Sequence, residues 1–136
     1  MSVVMKSVAI LGLLILVLFG VGCQSTQDPA QAVNALPVGD AERGSLLFQQ
    51  SIGGAPTCAS CHTLNDQRLT GPGLAGYGER AATTVSGQSA EVYTYQAIVR
   101  PAAHVVAGYS NIMYTEYSRK LNQQQIADLI AFLLEQ

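Results

Sequence analysis

Hydrophobic residues are spread unevenly along the chain. Val8 to Val21 form an apolar run of fourteen residues broken only by Gly12 and Gly20, with Lys6 ahead of it. As a helix this run would span about 21 Å, short of the roughly 30 Å hydrocarbon core of a bilayer. A positive start, a short apolar stretch and small residues at its end suit an export signal better than a spanning helix, so residues 1–22 are predicted to be a signal peptide. Gln24 to Pro37 is polar, contains Pro29 and Pro37, and shows no sustained apolar period. That composition predicts a flexible tether over residues 23–37, with a root-mean-square reach on the order of 20 Å.

The folded domain is expected from Val38 to Gln136. Asp40 to Phe48 has acidic residues in its opening turn, where the helix dipole favours them, and reads as a first helix. Gly44 within it is a poor helix former, so its place implies close approach by another element. Thr63 to Gln88 is rich in glycine and contains Pro72, and is predicted to be loop with at most a short helical turn. Ser89 caps a helix through Glu91, Tyr95 and Val99 that must stop before Pro101. The last helix is the most clearly marked. Asn122 with Gln125 makes a capping box, and Leu121 with Ile126 a hydrophobic staple. Ile126, Leu129, Ile130, Leu133 and Leu134 then line one face at helical spacing. No segment alternates as a strand would. The expected fold is all-α, small and loop-rich, with three main helices.

Charge changes this picture little. The formal charge is −2, and without Lys6 six basic residues face nine acidic ones. With no basic run, a nucleic-acid partner is not expected. The acidic balance gives a weak hint of basic surfaces on protein partners.

The three cysteines divide into a pair, Cys58 and Cys61, and a single Cys23. Cys58-Ala59-Ser60-Cys61-His62 is the pattern that attaches a c-type haem. Two thiols add across the porphyrin vinyl groups, and the histidine that follows is held near the iron as an axial ligand. A thioredoxin-like pair would want a βαβ setting, and a zinc site a second Cys or His pair; neither accompanies this motif. A plain disulfide is the remaining alternative. A loop-rich domain of this size has a thin core, which a buried porphyrin would complete, so the protein without haem is expected to be poorly ordered. Beyond the signal there is one methionine, Met113, and one histidine besides His62, His104. A loop 51 residues past His62 can reach the other face of the ring, which favours Met113 as the second axial ligand, although a lone methionine is more often packing. His104 is the competitor and reads as a surface or propionate-contacting histidine; an open iron site is the third alternative. No Ser/His/Asp set, paired carboxylates or phosphate loop is apparent. One-electron transfer between redox proteins is therefore expected, with no small-molecule substrate.

From Val38 to Gln136 the chain resembles the class I (mitochondrial-type) cytochromes c, and among them the small bacterial monohaem forms. The resemblance rests on Gly44 and Phe48 in the first helix, Cys58 to His62, Gly71-Pro72-Gly73-Leu74, and Met113 followed by a last helix ending Leu129-Ile130-Ala131-Phe132-Leu133. It implies that Gly44 and Phe48 pack on Phe132, that the Pro72 carbonyl holds the ligand histidine, and that Arg80 lies near a haem propionate. Many relatives have proline after the distal methionine, where this chain has Tyr114. The residues before Cys23 resemble a bacterial lipoprotein signal, with Gly20 where an aliphatic residue is usual. Cys23 is thus expected to carry lipid and to hold an exported domain at the periplasmic or outer face of a membrane. An uncleaved anchor helix or a soluble secreted form with a spare thiol are the alternatives. A fixed haem subunit of a quinol-oxidising or terminal oxidase complex, or a ligand-binding or peroxidatic haem protein, are the rival functions.

Overall fold

The computed structural model describes residues 28–136; the expected signal peptide, Cys23 and the first part of the tether lie outside the described residues. Among the described residues there are six α-helices and no strand. They are α1 Pro29–Asn34, α2 Ala41–Phe48, α3 Tyr77–Thr84, α4 Ala90–Val99, α5 Tyr117–Lys120 and α6 Gln123–Leu134, with single 3₁₀ turns at Cys58–Ser60 and Pro101–Ala103. No helix among them is long and apolar enough to cross a membrane.

Local chemistry sets the helix starts. The Asp40 carboxylate accepts from the Arg43 amide at 2.8 Å and opens α2, while the Ser89 hydroxyl accepts from the Val92 amide at 3.3 Å and opens α4. At α6, Asn122 and Gln125 exchange side-chain and backbone bonds of 2.9 Å each, and Leu121 and Ile126 are both buried beneath them. These are the expected cap, box and staple.

The core forms where α2 crosses α6. A Cβ at Gly44 would lie 2.1 Å from the Asp128 carbonyl oxygen and 2.6 Å from the Phe132 Cβ, so only glycine permits this approach. One turn on, the rings of Phe48 and Phe132 meet with centroids 5.6 Å apart and planes tilted by 58°, within the range where aromatic pairs attract. Leu129, 2% exposed, sits behind them. Asp128 is also buried at this crossing and is fully partnered. It accepts from the Asp40 amide at 2.8 Å, from Arg43 Nε and Nη2 at 2.9 Å each, and from the Gln124 amide nitrogen at 2.8 Å. The Arg43 guanidinium and these bonds hold its carboxyl below the usual carboxylate range.

Two expectations need correction. The glycine-rich stretch 63–88, expected to be loop, contains the two-turn helix α3. Gly78 marks a contact and not a break, since a Cβ there would lie 2.2 Å from the Leu134 carbonyl oxygen, and its amide donates to the Gln136 carbonyl at 3.2 Å. The second half of the expected tether is helix α1. Asp28 caps it by accepting from the Ala30 amide at 3.0 Å, and Pro29 occupies the first helical position, where its missing N–H costs nothing. Alanine and glutamine then favour the helix, which packs on α4.

Gly44→Ala should destabilise the domain by about 1–3 kcal/mol, because overpacking at the crossing outweighs the gain of about 1 kcal/mol in helix propensity. Denaturant unfolding of the haem-loaded protein checks the sign; a more stable variant would mean the helices separate at no cost. Asp128→Asn should lower stability by about 2 kcal/mol near neutral pH. The Asp128 carboxyl titrates lower folded than its ordinary value of 3.8. Its contribution is therefore complete above that value and disappears as pH falls through the depressed folded one. Melting temperatures across pH 2–7 should converge for the two proteins at the acid end.

Candidate functional site

The Cys58–Ser60 turn is built by its own neighbours. Thr57 Oγ1 accepts from the Ser60 amide at 3.1 Å, and the Cys58 carbonyl accepts from the amides of Cys61 at 3.1 Å and His62 at 3.0 Å. This winds the backbone so that Cys58, Cys61 and His62 all border one cavity of about 680 Å³. The loop after the motif folds back on it: the Gly71 amide donates to the Cys61 carbonyl and the Leu74 amide to the Thr63 carbonyl, each at 2.9 Å.

That return places Pro72 over the histidine. His62 Nδ1 donates to the Pro72 carbonyl oxygen at 2.9 Å. A carbonyl can only accept, so Nδ1 carries a proton, and in the neutral ring Nε2 then keeps its lone pair. Gly71 completes the seat, because a Cβ there would lie 2.4 Å from His62 Cε1. The ring therefore has one orientation and one tautomer, the state in which an imidazole binds a metal.

The remaining wall is mostly apolar. Phe48, Leu74, Ile98, Leu129 and Leu133 border the cavity, so the hydrophobic core and the cavity share residues. Met113 is half-buried and lies on the same cavity, as does His104, which is exposed and meets the Tyr93 ring edge-on at 5.7 Å. Arg80 borders it too, with its guanidinium donating to the Gly73 carbonyl at 3.1 Å and to the Ala75 carbonyl. Cys58, Cys61, His62, Met113, Pro72 and Arg80 are thus gathered around one space, 55 residues of chain notwithstanding. Cys23 falls outside the described residues.

Burial pushes the Cys58 thiol up to about 11. A redox-active Cys-x-x-Cys pair works through a lowered thiol pKa, so the environment here runs against that reading. Among the described residues no group of three His, Cys, Asp or Glu is arranged to hold a metal ion directly.

Several contributors had weak or no signals in the sequence. Five of the six tyrosines, Tyr77, Tyr93, Tyr109, Tyr114 and Tyr117, border the cavity. Tyr117 donates from its hydroxyl to the Pro56 carbonyl at 2.8 Å and so fixes the segment ahead of Cys58. Tyr77 donates to Thr94 Oγ1 at 3.0 Å, and burial pushes its hydroxyl up to about 12. Thr94, fully buried, donates from its hydroxyl to the Ala90 carbonyl at 2.7 Å. No spacing rule marks these pairs. Asp128 did carry a signal: an acid inside an apolar helix face needs a partner, and Arg43 is that partner.

The residues present fit a covalently held porphyrin. An apolar cavity of suitable scale is bordered by two thiols and an imidazole with a free Nε2, and its seat leaves no room for a Cβ at Gly71. A helical cage closed round such a cavity defines a c-type haem protein. The profile of the family described as Cytochrome c matches residues 41–136, and the chain belongs to that family. Its members bind haem c covalently and serve haem-based electron transfer. No curated protein matches the chain closely enough to count as a relative.

Proposed function

We propose that the protein is a membrane-tethered one-electron carrier whose haem iron is held between His62 and Met113. The observation that carries this reading is that His62, with its tautomer fixed by Pro72, and Met113, the one methionine of the described residues, border the same apolar cavity. Haem c supplies a reversible ferric–ferrous couple when bound. Cys58 and Cys61 hold the group by thioether bonds, and the Pro72 bond makes the His62 ring a better donor. A methionine thioether favours the reduced state relative to a second imidazole. Arg80, braced on two carbonyls, brings a positive charge to the cavity margin suited to a propionate. With both axial positions taken by side chains, no coordination site remains for substrate, and exchange of electrons needs only a small, brief docking surface.

Export and anchoring through Cys23 belong to the same proposal, which places the domain at the periplasmic or outer membrane face. The packing of α1 on α4 supports a second reading, a fixed haem subunit of a larger membrane oxidoreductase. Helix α1 is capped by Asp28, five residues past Cys23 in sequence. Five Cα steps reach at most roughly 18 Å, which suits a head held beside its partner more than one ranging over the surface.

Met113→Ala should lower the midpoint potential by more than about 100 mV or open the iron to external ligands, given how strongly axial-ligand identity tunes haem potentials. Redox titration of the purified protein measures this, and an unchanged potential and spectrum would remove Met113 from the iron. Cys23→Ser should release the protein from the membrane fraction. Undiminished membrane association would point instead to the uncleaved apolar helix.

A further inference from the structure

The loop that carries Met113 has little backbone support of its own. Between the turn at Pro101–Ala103 and α5 its internal backbone bonds are Tyr109 to Val106 at 3.1 Å and Ile112 to Ser110 at 2.9 Å. Beyond the His104–Tyr93 ring contact at its start, side chains hold it to the rest of the molecule at two places that flank Met113. On the far side of Met113, the Tyr114 ring meets Tyr117 edge-on at 5.0 Å, and Tyr117 is buried and bonded to the Pro56 carbonyl. On the near side the brace is Arg68. Its guanidinium carbon lies 4.0 Å from the centroid of the Tyr109 ring, and its Nη2 donates to the Gly108 carbonyl at 2.5 Å. Arg68 stands six residues after His62. One side chain therefore joins the two loops that carry the two axial side chains.

The two braces differ in how readily they yield. Tyr117 is 7% exposed and part of the core, so it opens only with the fold. Arg68 lies on the surface, where a cation–π contact is worth little more than thermal energy. Gly108, with φ at +84°, sits at the contact and gives the chain a turning point next to it. Regions with few backbone bonds and exposed contacts open first in native proteins.

We propose that Arg68 and Tyr109 form a latch that sets how often Met113 leaves the iron, which makes Arg68 a positioning residue for the distal ligand. The proposal rests on Met113 being that ligand. With the latch closed the protein only passes electrons. With it open, Met113 would be free to move off the cavity, and a small neutral ligand such as carbon monoxide could reach the site with no change of oxidation state.

The test compares wild type, Arg68→Lys, Arg68→Gln, Tyr109→Leu and the Arg68→Gln/Tyr109→Leu double variant as haem-loaded proteins. Carbon monoxide association with the reduced protein should rise roughly fivefold in Arg68→Gln and in Tyr109→Leu. Arg68→Lys, which keeps the charge, should recover part of the loss. The double variant should match Arg68→Gln, because Tyr109→Leu removes only the ring contact that Arg68→Gln also loses. Amide hydrogen exchange should quicken by a similar factor over residues 105–112 and stay unchanged in α2 and α6. Unaltered ligand association in the single variants, or fully additive effects in the double, would overturn the latch. Met113→Ala separates the two levels. If it speeds carbon monoxide binding while Arg68→Gln does not, only the latch fails; if it leaves the spectrum untouched, the ligand assignment falls and the latch with it.

Discussion

The backbone of α2 can lie against α6 only because Gly44 has no side chain. This contact joins segments some eighty residues apart in sequence and closes the helices into a cage. Phe48 and Phe132 stack beyond it, and Asp128 and Arg43 tie it with four hydrogen bonds to one carboxylate. Phe48, Leu129 and Leu133 belong both to this core and to the cavity wall. Stability and cofactor binding therefore draw on the same side chains. A change that loosens the crossing alters the site, and a group filling the cavity completes the core.

The chemistry of the site follows from what the cage leaves out. Its wall is largely apolar, and Arg80 is the charged side chain on its border. A low-dielectric surround favours the less charged member of a redox pair, and under the proposed ligation a thioether at Met113 would act in the same direction. The hydrogen bond from His62 to Pro72 works against this by making the imidazole more electron-rich. On that reading the potential would be a balance among three features of the chain.

The capped helices and the haem motif could be read from the sequence because their signals are local. Asn122 and Gln125 are three residues apart, and Cys58 to His62 are consecutive. Helix α3 escaped because Gly78 looks the same in a sequence whether it breaks a helix or admits a neighbour, and the deciding atom belongs to Leu134. Helix α1 escaped because its apolar content is too slight to show a period, and packing on α4 rather than propensity stabilises it. Tyr117 with Pro56, and Arg68 with Tyr109, pair residues 61 and 41 positions apart through contacts that no spacing predicts. Cys58, Cys61, His62, Pro72, Arg80 and Met113 were named from the sequence and border one cavity, while the side chains that hold them in place had no such signal.

The gathering of tyrosines around the cavity has an optical consequence. The chain contains no tryptophan, and five of its six tyrosines stand on that wall. Its ultraviolet emission and near-ultraviolet dichroism therefore come almost wholly from rings beside the cofactor. Energy transfer to a bound haem quenches them, and loss of packing there abolishes their dichroism. The protein thus carries its own reporter of an intact site, read without label, with Tyr95 the one tyrosine away from that wall.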